Sequence, residues 1–142
     1  MDEYTVDFRI YGESLNPLSV SADLGLEASQ IIEVGDNRSA TSRWEKAMWG
    51  YNGLGLNGGA KIWESLEEGL TFLLDKLTPL KERIASYGAE FELVFWCGHF
   101  QDSFCEGPSF SPGLLKRLGE FGVEVVVHNY FCSSEENEAA EC

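Results

Sequence analysis

Three features of this 142-residue sequence predict an α+β domain, a mixed β-sheet with helices packed on one face. A segment near the start alternates apolar and polar residues with period two. A stripe of leucines at helical spacing fills the middle. The two ends each read strand, helix, strand, so two such halves flank a central helix.

The first element is Tyr4 to Tyr11. Tyr4, Val6, Phe8 and Ile10 point one way and Thr5, Asp7, Arg9 and Tyr11 the other, the pattern of a half-buried strand. Asn16-Pro17 places a capping side chain before a proline at the first helical position, which opens a short helix that ends at Leu24-Gly25. Gln30 to Val34 and Ser42 to Tyr51 read as further strands, the second on its β-favouring bulk. Between Gly50 and Gly59 lie five of the chain's fifteen glycines, a stretch expected to form a mobile loop. A short strand, Lys61 to Glu64, is expected next.

Ser65-Leu66-Glu67-Glu68 is a capping box that starts the central helix. Leu66, Leu70, Leu73, Leu74, Leu77, Leu80 and Ile84 then recur on one stripe. Pro79 lies within it and should kink or split the helix, because proline lacks the amide proton and crowds the preceding turn. Gly88 is the expected C-terminal cap. Glu90 to His99 predicts a strand, Ser111-Pro112 a second cap-plus-proline helix ending between Gly119 and Gly122, and Val123 to Phe131 the last strand, with Val125 to Val127 read as fully buried.

The chain carries 24 acidic and 10 basic side chains, a formal net charge of −14. Four of the acids, Glu135, Glu136, Glu138 and Glu141, fall in the last ten residues, so residues 133–142 read as an acidic tail on a single domain spanning 1–132. Without the tail, 20 acids face 10 bases and the body stands at −10. Phosphate-backbone binding needs the reverse balance, since Lys and Arg drive it by releasing counterions, so no nucleic-acid partner is expected. No apolar run approaches the ~18 residues of a spanning helix, and no membrane partner is expected. Met1 to Tyr4 shows no basic stretch leading into an apolar one, so a cytoplasmic location and reduced cysteines are the expectation.

Several short motifs, in order, resemble a small bacterial family known only as domain of unknown function 4279. They are Phe8-Arg9-Ile10-Tyr11-Gly12, Leu15-Asn16-Pro17 and Leu24-Gly25-Leu26. After them come Ser65 to Glu68 with Leu73, Leu74 and Leu77 ahead of Pro79, then Ser109 to Pro112 with Leu114, Leu115 and Leu118, and lastly Tyr130-Phe131. The resemblance runs from Tyr4 to Phe131 and implies no activity or catalytic residue. The Gly50 to Gly59 loop looks like a local elaboration.

Gly53-Leu54-Gly55-Leu56-Asn57-Gly58 fits the dinucleotide fingerprint, but that motif works at a strand-to-helix turn. Here a short strand follows instead, so nucleotide binding is rejected and no cofactor is expected. Cys97, His99, His128 and Cys132 offer the four nitrogen and sulfur ligands that zinc requires, without a C-x-x-C or a regular spacing. Cys105 with His99 or His128 as base and Asp102 or Glu106 as orienter is the alternative, a thiol enzyme. Both rank below a protein interface.

The aromatic stock carries that interface reading. Trp44, Trp49, Tyr51 and Trp63 bracket the glycine loop, and Phe100 and Phe104 lie beside Asp102 and Glu106 in the later loop. Aromatic anchors with a charged rim are the anatomy of a protein-binding surface. The expected function is a non-enzymatic protein-binding module, an acidic inhibitor of the immunity type that neutralises a basic partner such as a toxin domain. The alternative is a small-ligand-binding or regulatory domain that uses a cleft at the strand ends near His99 and His128.

Overall fold

The computed structural model describes residues 2–102 and 107–131. Five strands form one sheet: β1 (Glu3–Gly12), β2 (Gln30–Ile32), β3 (Ala47–Tyr51), β4 (Glu92–Gln101) and β5 (Glu124–Phe131), in the order β2-β3-β1-β4-β5. β1 is central and antiparallel to both neighbours, β3 and β4. β4 and β5 are parallel, so the sheet is mixed. The helices are α1 (Pro17–Leu24), α2 (Leu66–Leu77), α3 (Lys81–Tyr87) and α4 (Pro112–Phe121).

The two halves of the chain hold up as related units. β4, α4 and β5 form a parallel pair joined by a helix. β1, α1 and β2 do the same, except that β3 is inserted between the strands and runs antiparallel to each. The helix starts are chemically alike. Asn16 Oδ1 accepts from the Ser19 amide and Ser111 Oγ from the Leu114 amide, each just before a proline. Both helices end on a left-handed glycine, Gly25 at φ 67° and Gly122 at φ 79°, a conformation that lacks a steric penalty only for glycine.

Ser65 caps α2 by accepting from the Glu68 amide. Pro79 then divides the leucine stripe as expected: Thr78–Leu80 is a short 3-10 turn between α2 and α3. The expected strand Ser42 to Tyr51 shortens to Ala47–Tyr51, because residues 35–44 close a separate turn in which Trp44 N–H bonds Asp36 O and Gly35 N–H bonds Trp44 O. Lys61 to Glu64 is a single bridge, Trp63 to Tyr4, instead of a strand. Val125 to Val127 are half-buried, since β5 is an edge strand and is not enclosed on both faces.

Alternation in β1 decides where the core lies. Tyr4, Val6, Phe8 and Ile10 meet the helices, together with Trp49 and Tyr51 of β3, Phe95 and Cys97 of β4, and Leu66, Leu70, Leu73, Leu74 and Leu77 of α2. Tyr87 Oη and the Arg83 guanidinium bond Asp23, one to its carboxylate and the other to its carbonyl, and tie α3 to the end of α1. Among the described residues, no helix lies on the opposite sheet face.

Leu70→Ala should cost about 2–5 kcal/mol in urea unfolding, because Leu70 is fully buried under β1. Leu18→Ala, at a position that is 67% exposed, should change stability by less than about 0.5 kcal/mol. Burial and, secondarily, the charge of Asp7 push the Cys97 thiol up to about 12, while burial and the bond to Asp23 push the Tyr87 phenol to about 12. Both groups titrate higher in the folded chain than in the unfolded one, so the unfolded state loses its protons first as pH rises. Stability should therefore fall above about pH 9. Alkylation with iodoacetamide at pH 8 should spare Cys97 until the chain is unfolded.

Candidate functional site

The helix-free face has its own residue set, fixed by the same alternation and by register. β1 contributes Glu3, Thr5, Asp7, Arg9 and Tyr11, and β4 contributes Glu92, Val94, Trp96, Gly98 and Phe100. β5 adds Glu124, Val126, His128 and Tyr130. β3 and β2 add Met48, Gly50, Gln30 and Ile32. Four carboxylates therefore share this face with a single arginine.

A groove of about 350 Å³ crosses it. Its floor is Thr5, Asp7, Arg9 and Gly50, one wall is Trp96 and Phe100, and the other is Ser29, Asn52, Gly59 and Ala60. Glycines open the floor. A Cβ at Gly98 would sit 2.6 Å from Thr5 Oγ1 and 3.0 Å from the Phe100 ring, so a side chain there would collide with the groove lining. The Thr5 residue is 8% exposed, and no described residue hydrogen-bonds its hydroxyl.

The second wall rests on buried Asn52. Its Oδ1 accepts from the Leu54 amide at 2.8 Å and its Nδ2 donates to the Gly59 carbonyl at 3.0 Å. The Ser29 hydroxyl accepts from the Asn52 amide at 2.8 Å. One polar side chain thus spans the glycine-rich stretch and fixes where Gly59 and Ala60 border the groove.

Arg9 organises the floor. Its Nη2 donates to Asp7 Oδ2 at 2.8 Å and its Nη1 to Tyr11 Oη at 2.9 Å. Its guanidinium lies 4.2 Å from the Trp96 ring centroid. Burial works to lower the Arg9 pKa, but the bonds to Tyr11 and Asp7 outweigh it and hold the group above its ordinary value. Trp96 stacks in turn on His128, with centroids 4.7 Å apart and planes within 18°. Phe100 stacks on Tyr130 at 4.8 Å. Two ordered aromatic pairs therefore stand on the open face, with His128 and Tyr130 exposed at its edge.

The residues singled out by sequence are scattered relative to this groove. Phe100 lines it. Trp44 is half-buried in the turn before β3 and shares a shallow depression with Tyr11, its ring covered by the Arg38 guanidinium at 4.6 Å. Trp49 and Tyr51 are core residues, because alternation turns them toward α1, where Trp49 Nε1 donates to Ser21 Oγ at 2.9 Å. They offer no surface to a partner. Trp63 is half-buried beside α2, away from the groove lining. Asp102 is half-buried, and its amide donates to Asp2 Oδ1 at 3.1 Å. Phe104, Glu106, Cys105 and Cys132 lie outside the described residues.

The metal set does not assemble among the described residues, and the thiol set turns on Cys105, which lies outside them. Cys97 and His99 face the helices, while His128 faces the opposite side, since the residue paired with His99 is Asn129. His99 is 1% exposed and stacks on Tyr4 at 4.7 Å. Both of its ring nitrogens are engaged, Nδ1 with Asn129 Oδ1 at 3.0 Å and Nε2 with Asp2 Oδ2 at 2.7 Å. A ring held at both nitrogens has no lone pair to give a metal. The strand-end cleft expected between the two histidines is thus divided by the sheet itself.

Sequence reasoning passed over Thr5, Asp7, Arg9, Asn52 and Trp96 as a group. The signal lay in the polar phase of β1: an acid and a base two residues apart on a central strand share one face, where they stand close enough to pair with each other.

No helix among the described residues is long and apolar enough to cross a membrane. Comparison with curated proteins and with solved structures gives no match. Residues 2–132 match the profile of a family described as a domain of unknown function, DUF4279. With nearly its whole length inside that match, this chain is a member of the DUF4279 family.

Proposed function

We propose that the chain is a non-enzymatic protein-binding module that uses the open face of its sheet, an acidic inhibitor of the immunity type for a basic partner. The observation that carries the reading is the composition of that face, where two stacked aromatic pairs flank a groove and four carboxylates accompany one arginine. Arg9 is paired with Asp7 and Lys46 with Glu92, so Glu3 and Glu124 leave the face negative. Aromatics held in place by stacking lose little entropy when covered, which suits them as anchors. Surplus carboxylates steer a basic partner toward them. Inhibition follows by occlusion, as the face covers the partner's substrate-binding surface.

One observation favours a second reading, a small-ligand site in the same groove: the buried Thr5 hydroxyl has no described partner. A neutral planar group with adjacent donor and acceptor would satisfy it between Trp96 and Phe100.

The test is calorimetric titration against basic nuclease or toxin domains encoded beside the gene. A 1:1 complex that abolishes the partner's activity is expected, with association slowing as salt rises. Trp96→Ala and Tyr130→Ala should each weaken it by roughly thirtyfold, about 2 kcal/mol. Full affinity in both variants would remove the open face from the interface. A thermal-shift gain with a small neutral ligand, lost in Thr5→Val, would favour the second reading.

A further inference from the structure

On the α2 side of the sheet, away from the groove, two aromatic rings hold a cation. The Lys61 ammonium lies 4.6 Å from the Trp63 ring centroid and 4.2 Å from that of Phe72. The two rings meet at 5.3 Å with planes 45° apart, an open wedge. Lys61 forms no ion pair with any described carboxylate, so the rings are the partners described for its charge, and the Lys76 ammonium stands farther off, 5.7 Å from the Phe72 centroid.

The wedge is built by two close backbone approaches. A Cβ at Gly69 would come within 2.9 Å of the Trp63 ring. A Cβ at Gly53, where φ is 92°, would come within 2.7 Å of the Phe72 ring. Each glycine lets the backbone lie against a ring and hold it. Around the rings, Glu67, Glu68, Thr71 and Asp75 border a depression of about 620 Å³. Glu67 is occupied by the Ser111 amide and Asp75 by Arg117, whereas no described bond engages the Glu68 carboxylate.

We propose that this wedge is a seat for a lysine side chain of a basic protein partner, and that Lys61 fills it in the free chain. Ammonium groups are attracted to the faces of Trp and Phe rings, and a carboxylate at the rim adds to the attraction. The chain's charge of −14 gives the occupant its sign. Lys61 is half-exposed, and rotation about its own four-carbon stem takes the ammonium out to solvent. The seat is therefore competitive: an incoming lysine gains what Lys61 gives up, and the net gain comes from the partner's other contacts. The inference goes beyond the open-face reading and stands on different residues.

The experiment uses the full chain and tetramethylammonium chloride as the probe, followed by the indole N–H signal of Trp63 in two-dimensional NMR, with sodium chloride at matched ionic strength as the control. A saturable shift is expected with the organic cation alone. Lys61→Ala should tighten binding roughly two- to fivefold by removing the nearer of the two lysines at the Phe72 ring. Phe72→Leu should abolish the shift, and an unchanged set of the other indole signals shows that the fold is kept. A response equal to that of sodium chloride, or equal affinity in Lys61→Ala, would overturn the proposal. Either result leaves the Trp96 and Tyr130 tests of the open face untouched.

Discussion

Everything in this molecule depends on the strict alternation of β1. As the central strand, it is covered on both sides by backbone partners, so each of its side chains must commit to one face of the sheet. The even residues are all apolar and meet the leucine stripe of α2. The odd residues are polar, and they are left facing a surface that no helix among the described residues covers. A one-residue slip of this strand would put Asp7 and Arg9 among the leucines and Phe8 in water, a cost no local adjustment offsets. The Arg9–Asp7 pair is thus the other half of the constraint that builds the core.

Much of this order was legible in the sequence because it is local. Capping side chains at Asn16, Ser65 and Ser111, prolines after two of them, and the break at Pro79 each act within a few residues. The resemblance of the two chain ends was also readable, although nothing in it reveals that β3 separates β1 from β2. Strand order is set by contacts between distant segments, and the N-terminal strand carries no mark of its eventual neighbours.

The site was less legible, for a related reason. Trp49 and Tyr51 look like loop aromatics when they are counted with Trp44 and Trp63, yet their parity in β3 sends them inward. His99 and His128 stand near the ends of two parallel strands, as their spacing suggests. They are nevertheless one residue out of phase across the pair and project from opposite faces. The groove needed Thr5, Gly98 and Asn52 to be placed together from three segments. None of the three is chemically conspicuous, and only the register brings them into contact range.

Among the described residues, β5 has a neighbour on one side alone, and its last four residues, His128 to Phe131, are all exposed. Its outer row of amides and carbonyls is a template on which a second copy of the chain can lay a strand, the first step of ordered aggregation. The sequence answers with charge. Glu124, exposed, stands at the first position of the strand. Two copies laid edge to edge would each bring Glu124 to the seam, and like charges there oppose the pairing. The Glu124 carboxylate is in that sense a gatekeeper for the edge, whose strength falls as salt rises.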